Sequence, residues 1–144
     1  TGLEVLNLDE NELNGTVPEE LGLLMNLKDL ILNGNELTGR LPTTLNKLGK
    51  LEVLDLGSNS LSGTLPFSFN RANFLNIHEV WLELNQFTGT LPQGLLVASN
   101  MTELHLEFNQ FSGSLPSEIG KLRSLQKLGI NFNIFDGSLP LSIG

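Results

Sequence analysis

The sequence of 144 residues contains no cysteine, only eight Lys and Arg residues, and no long apolar run. Without cysteine the chain has no disulfide framework, no thiolate metal ligand and no cysteine nucleophile. Sixteen Asp and Glu residues give a net charge of −8, which disfavours nucleic acids and anionic membrane surfaces because their phosphates attract basic proteins. No segment approaches the roughly 18 consecutive apolar residues that a membrane-spanning helix needs. The 40% hydrophobic content is still enough for a packed core.

Glycine and proline are present at regular intervals. The six prolines lie 24, 24, 26, 24 and 24 residues apart, each with a glycine three residues before it and an asparagine seven residues before it. Those asparagines are Asn11, Asn35, Asn59, Asn85, Asn109 and Asn133. The pattern is a tandem repeat of about 24 residues. It divides the chain, as a single array over 1–144, into repeats 3–26, 27–50, 51–76, 77–100, 101–124 and a partial repeat 125–144.

Each repeat carries the signals of one turn of a solenoid. Apolar residues at repeat positions four and six predict a short strand with one buried face. Strands of successive repeats are expected to stack in parallel, about 4.8 Å apart. The asparagine follows the strand, where its side-chain amide is expected to satisfy backbone groups of adjacent repeats. The glycine permits a turn, and the proline prevents a helix from continuing and suits an extended segment before a short helical turn.

These leucine, asparagine, glycine and proline residues resemble the plant-type leucine-rich repeat, L-x-x-L-x-L-x-x-N-x-L-x-G-x-I-P-x-x-L-G-x-L, over the whole chain. The resemblance implies an α/β-type solenoid, a right-handed superhelix with one parallel β-sheet on the concave side and an irregular or short-helical convex side. Two extra residues around Phe74 and Leu75 in the third repeat predict a bulge on the convex side. The cysteine-paired caps that usually flank such arrays are absent. We expect either the middle of a longer repeat protein or a short array whose ends a partner covers.

The acidic residues are concentrated on one predicted face. Positions two, three, five, seven, eight and ten of each repeat are expected to face solvent on the concave side. Twelve of the sixteen acids and two of the eight basic residues, Lys28 and Lys127, fall there, giving this face −10 and the remaining surface +2. The twelve are Glu4, Asp9, Glu10, Glu12, Asp29, Glu36, Glu52, Asp55, Glu79, Glu83, Glu103 and Glu107. Such a face favours basic partners, although exposed strand positions also need polar residues of some kind.

The only tryptophan lies in the middle of this face. Trp81 and His105 both occupy position five and are expected to be neighbours on adjacent strands. Leu84, Phe108 and Phe132 form an apolar row at position eight. Tryptophan is typical of binding hot spots, whereas aromatic residues at position eight are common in such repeats and often serve packing. The predicted partner-binding residues are Asp55, Glu79, Trp81, Glu83, Glu103, His105, Glu107 and Phe108.

Carboxylates also face each other across the predicted strands. Glu79 is opposite Glu103, and Glu83 is opposite Glu107, so we expect repulsion to raise their pKa values. Paired carboxylates can hydrolyse glycosides or hold Ca²⁺, but an open sheet offers no cleft and no compact cage of oxygen ligands. The two histidines lie at different repeat positions without a third ligand, which disfavours zinc. We therefore predict no catalytic residue, no metal site and no cofactor.

Two N-glycosylation sequons begin at Asn14 and Asn100, no more than chance would produce in this composition. The resemblance, rather than the sequons, implies an extracellular or secretory setting, membrane-tethered if a spanning segment lies outside this chain.

The function expected from the sequence is non-enzymatic recognition of a protein or peptide with basic groups, as in receptor-kinase ectodomains. Two alternatives remain at this stage. One is a secreted enzyme inhibitor of the polygalacturonase-inhibitor type, and the other is a structural scaffold subunit of a larger assembly. No nucleic acid partner and no membrane contact within this chain are expected.

Overall fold

The computed structural model describes residues 2–66 and 75–143, which wind into stacked coils. Phe74, and with it the predicted bulge, lies outside the described residues. One strand from each coil enters a parallel sheet in the order β1-β3-β5-β7-β9-β11. These strands are β1 (Val5–Asn7), β3 (Asp29–Ile31), β5 (Val53–Asp55), β7 (Glu79–Trp81), β9 (Glu103–His105) and β11 (Lys127–Gly129). The predicted solenoid with a parallel concave sheet is confirmed.

A second parallel sheet, which the sequence did not predict, follows the asparagine turn. Its strands are β2 (Asn14–Thr16), β4 (Glu36–Arg40), β6 (Ser60–Gly63), β8 (Gln86–Gly89), β10 (Gln110–Ser114) and β12 (Ile134–Asp136). Glu36 opens β4, and Glu12 lies just before β2. These two acids therefore lie beyond the turn and not on the first sheet, since position ten of the repeat is where the chain enters the second sheet.

Short 3₁₀ turns follow the prolines and form the convex side. They span Glu19–Leu23, Thr43–Lys47, Leu95–Val97, Ser117–Lys121 and Leu141–Ile143. Pro18, Pro42 and Pro116 precede their turns in an extended conformation, and the N–H of Leu21 donates to the carbonyl of Pro18 at 3.2 Å. Within residues 2–66 and 75–143, no helix combines the length and apolar character needed to cross a membrane.

The core is a stack of mainly leucine side chains contributed by all coils. Buried phenylalanine side chains of the second sheet pack on one side of this stack. Leu30, Leu54 and Leu104, the central residues of their strands, are buried. Phe87 and Phe111 are fully buried in the second sheet, with ring centroids 6.1 Å apart. Because each coil buries its apolar edge only against its neighbours, the array is stabilised coil by coil.

The recurring asparagine joins its own coil to the preceding one through its side chain. Asn85 Nδ2 donates to the carbonyl of Leu56 in the preceding coil at 2.9 Å, and to Leu82 in its own coil at 3.3 Å. Its Oδ1 accepts from the N–H of Leu61 at 2.9 Å. Asn109 repeats this arrangement one coil later, donating to Leu82 at 2.8 Å. The predicted role of the amide in satisfying buried backbone groups is confirmed by these contacts.

The glycine before each proline meets two requirements. Gly113 has φ +75°, a conformation that L side chains rarely adopt. A Cβ at that position would also lie 2.9 Å from Cγ2 of Thr90 in the preceding coil. The coils can therefore approach closely only because this position has no side chain.

Candidate functional site

The first sheet presents its solvent-facing residues in straight rows, one residue per coil. The strand register pairs Asp55 with Trp81 and Trp81 with His105. The same register places Glu79 opposite Glu103. These predicted residues are therefore neighbours on a continuous surface, as the repeat spacing indicated.

Trp81 and His105 stack face to face. Their ring centroids are 3.9 Å apart, and their planes differ by 11°. The indole Nε1 of Trp81 also donates to Oε2 of Glu79 at 3.3 Å. The tryptophan is thus held on one face by His105 and at its edge by Glu79, which fixes its orientation before any partner arrives.

His105 lies between two carboxylates. Its Nε2 is 3.2 Å from Oε2 of Glu103, and its Nδ1 is 3.1 Å from Oε1 of Glu107. The imidazole is thus within hydrogen-bonding distance of two of the predicted binding acids, and neither ring nitrogen is free.

Glu103 differs from the sequence prediction. Repulsion from Glu79 was expected to raise its pKa, but the Lys127 ammonium, 2.8 Å from Oε1, holds the pKa of Glu103 below its usual range. The hydrogen bond from His105 acts in the same direction. The prediction was wrong because it considered the neighbouring strand on one side only. Lys127 lies opposite Glu103 on the other side, and this opposite-charge pair could have been read from position three of adjacent repeats.

Asp55 and Glu83 differ from Glu103 in that no described lysine or arginine forms an ion pair with them. Burial raises the pKa of Asp55, whose Oδ1 accepts from the N–H of Gly57 at 3.1 Å. Burial also raises the pKa of Glu83, and the nearby charges of Asp55 and Glu107 add to the effect. Oε2 of Glu83 is buried without a hydrogen-bond partner. These carboxylates therefore leave a concentration of negative charge beside Trp81 that no described side chain neutralises with an ion pair.

Glycines create the space that the carboxylates of Glu83 and Glu107 occupy. A Cβ at Gly57 would lie 2.5 Å from Oε1 of Glu83, and a Cβ at Gly129 would collide with the carboxylate of Glu107. Sequence reasoning missed both glycines. Their signal is a glycine at position five or seven, one repeat away from a glutamate at position seven.

The apolar row of position eight lies at the edge of this surface and is exposed. We call Leu84, Phe108 and Phe132 the apolar row; their exposed fractions are 49%, 46% and 68%. The rings of Phe108 and Phe132 stack, with centroids 4.3 Å apart. All three residues have φ of 54–55°, in the left-handed region that bulky side chains rarely occupy.

Both predicted glycosylation residues lie on the surface. Asn14 is exposed at the start of β2. Asn100 is also exposed, but its Nδ2 donates to the carbonyl of Leu75 at 3.2 Å. Thr102 of the same sequon donates to the carbonyl of His78 at 3.1 Å. Glycosylation at either residue stays a prediction.

In residues 2–66 and 75–143, no group of three or more His, Asp or Glu side chains is arranged to hold a metal ion. The carboxylates around His105 are instead engaged by the imidazole and by Lys127.

Comparison with known proteins gives one family and several similar structures. The leucine-rich-repeat family model matches residues 2–24, 26–48, 50–72 and 100–122. No curated protein matched in the corresponding search.

The similar structures are receptor ectodomains. The plant peptide hormone receptor RGFR1 in complex with RGF2 is 32% identical, with a TM-score of 0.90 over 97% of this chain and 22% of that one. The ectodomain of the membrane receptor kinase GASSHO1/SCHENGEN3 from Arabidopsis thaliana, in complex with CASPARIAN STRIP INTEGRITY FACTOR 2, is 38% identical, with a TM-score of 0.90 over 98% of this chain and 17% of that one. The ectodomain of the receptor kinase SOBIR1 from the same plant is 30% identical, with a TM-score of 0.83 over 92% and 72%. The chain thus spans only about a fifth of the RGFR1 and GASSHO1/SCHENGEN3 chains.

Proposed function

Because the chain belongs to the leucine-rich-repeat family, we propose that it is a non-catalytic recognition module. Its partner is a peptide or protein segment with basic groups, which binds on the concave sheet around Trp81. Two of the similar structures hold a ligand named in their complexes, RGF2 and CASPARIAN STRIP INTEGRITY FACTOR 2. That similarity supports recognition as the class of function. We infer the basic character of the partner from the acidic charges of this chain.

The observation that carries the proposal is the ordered Trp81 ring beside unneutralised carboxylates. Trp81 is fixed by His105 and Glu79, so little side-chain entropy is lost when a partner contacts it. Asp55 and Glu83 flank it with raised pKa values caused by burial. An Arg or Lys of a partner would supply the missing counter-charge, and a cation over an indole face adds a further attraction.

The arrangement of His105 supports binding over catalysis. A general base needs a ring nitrogen free to take a proton from a substrate. Both nitrogens of His105 contact carboxylates, at 3.1 and 3.2 Å. The histidine and its acids therefore serve to set the charge and shape of the surface.

We also propose an extracellular or secretory location, as for the receptor ectodomains that the chain resembles. Its test is mass spectrometry of the protein purified from a secreting eukaryotic host. Glycan on Asn14 or Asn100 is the expected result. A naturally expressed protein recovered only from the cytosol would contradict this location.

The binding proposal is tested with a random nonapeptide library displayed on phage and selected on the folded chain. Selected peptides are expected to be enriched in Arg and Lys, and to lose at least tenfold in affinity on the variant Trp81→Ala/Glu83→Lys. The matched control is Leu23→Ala/Glu20→Lys, which makes the same kinds of change at exposed residues of the convex 3₁₀ turn Glu19–Leu23. Failure to select any peptide, or equal binding to both variants, would contradict the proposal.

A further inference from the structure

The fold does not require apolar side chains at the positions of the apolar row. Position eight adopts φ of 50–55° in every described non-glycine case, and the earlier coils fill it with Glu10, Gly34 and Ser58. Glycine or a polar residue therefore suits this backbone. At this position Leu84, Phe108 and Phe132 hold bulky side chains in a left-handed conformation that such residues rarely adopt, and they remain 46–68% exposed.

Packing within the chain does not explain this choice. Phe108 and Phe132 contact each other at 4.3 Å but remain 46% and 68% exposed. By contrast, Phe111, three residues after Phe108, is fully buried in the core. Exposed aromatic residues that gain little from burial, and that lie together on one edge, are typical of interaction surfaces.

The charges beside the row indicate what kind of partner it fits. Glu83 directly precedes Leu84, and Glu107 directly precedes Phe108. One oxygen of each glutamate is buried without a hydrogen-bond partner. A partner that covers the row must therefore come close to these carboxylates, which favours a cationic segment and excludes an acidic one.

The apolar row lies close enough to Trp81 for one bound peptide to contact both. Trp81 and Leu84 are three residues apart, so their Cα atoms are separated by at most about 10 Å. The row itself extends over two coil steps of about 4.8 Å. An extended peptide covers about 10 Å in three residues, and its side chains at i and i+2 lie about 7 Å apart on one side. A single extended segment can therefore reach Trp81 and the row together.

We propose that Leu84, Phe108 and Phe132 form a second subsite of the concave face, which accepts a large apolar side chain of an extended peptide. That side chain lies within about three residues of the Arg or Lys held beside Trp81. The inference rests on the proposed function and adds a sequence requirement to it. The basic group lies toward the coil of Asp55, and the apolar group lies toward the coil of Phe132. The two subsites thus determine the two kinds of side chain that the bound segment needs and the spacing between them.

The test uses peptides from the same random nonapeptide library and the variant Leu84→Ser/Phe108→Ser/Phe132→Ser. Serine fits this backbone, since Ser58 occupies the same position with φ +51°. We expect the selected peptides to pair a basic residue with a large apolar residue within three positions, and to bind the variant at least tenfold more weakly. The control Leu23→Ser/Met25→Ser removes apolar side chains that are 64% and 56% exposed elsewhere, and it should bind normally.

A double-mutant cycle then separates the two proposals. Changing the apolar residue of a selected peptide to alanine should weaken binding to the wild-type chain but not to the serine variant. Basic peptides that lack an apolar residue, or that bind the serine variant as well as the wild type, would overturn the second subsite while leaving the proposed function intact. Peptides that ignore Trp81→Ala/Glu83→Lys would instead overturn the proposed function. Circular dichroism checks that each variant is folded.

Discussion

The indole of Trp81 stacks on the imidazole of His105, with the ring centroids 3.9 Å apart and the planes 11° from parallel. The contact joins adjacent coils at their exposed face. Since Glu103 and Glu107 contact the two ring nitrogens of His105, the imidazole that stacks on the tryptophan is itself held in one orientation. The surface is therefore ordered in the absence of a partner, which lowers the entropic cost of binding.

The core and the exposed rows respond differently to the same substitution. Leu82 is fully buried, whereas Leu84, two residues later, is 49% exposed. We predict that Leu82→Ala lowers the free energy of unfolding by about 2–5 kcal/mol, through lost burial and the cavity left behind. Leu84→Ala should change it by less than about 0.5 kcal/mol. Urea denaturation followed by circular dichroism measures both, and equal losses would contradict this assignment of the two faces.

The asparagine contacts predict a loss of stability that is not due to packing. Asn85→Ala leaves the buried N–H of Leu61 and the carbonyl of Leu56 without their partner, which should cost about 1–3 kcal/mol. In the exposed first coil, the side-chain amide of Asn11 donates, among the described residues, only to the carbonyls of Leu8 and Asp9 of its own coil. Asn11→Ala should therefore cost clearly less in the same denaturation experiment. A similar loss for both variants would show that the links between coils contribute little.

The repeat made the coil and the strand register predictable, because a fixed repeat length places like positions side by side. That is why the neighbours Trp81 and His105 could be identified from spacing alone. The second sheet was not predictable in this way. In β8, for example, only Phe87 is fully buried and Gly89 has φ +81°, so the strand arises from backbone bonds to adjacent coils and not from an alternating apolar pattern. The contacts of Glu103 with His105 and Lys127 depend on side-chain conformations that repeat spacing does not determine.

The close approach of adjacent coils at Gly113 predicts that two substitutions will have coupled effects on stability. Gly113→Ala combines a left-handed backbone with a Cβ 2.9 Å from Cγ2 of Thr90, and the backbone term alone should cost about 1–2 kcal/mol. Thr90→Ser removes that methyl group. The double variant should recover the part of the loss due to the contact and retain the backbone part. If Thr90→Ser gives no recovery, the coils do not limit this position.

The pKa of Glu83 predicts a pH-dependent effect on stability. Burial raises the pKa of Glu83 above its ordinary value of 4.5, so its ionisation opposes folding at neutral pH. As the pH falls through the raised pKa, the folded state binds the proton first and this group's penalty is lost. Glu83→Gln should therefore be more stable than the wild type at neutral pH, with the difference disappearing below the unfolded-state pKa. Denaturation midpoints at several pH values measure this, and a pH-independent difference would contradict it.

The most direct test of recognition by the concave face is an NMR titration of the indole N–H of Trp81. As the chain has one tryptophan, this group gives a single, unambiguous signal, and it already donates to Glu79 at 3.3 Å. Adding a basic peptide from the nonapeptide selection should shift this signal, together with amides of β5, β7 and β9, and raised salt should weaken the effect. An unchanged indole signal, with shifts confined to the 3₁₀ turns of the convex side, would contradict the account.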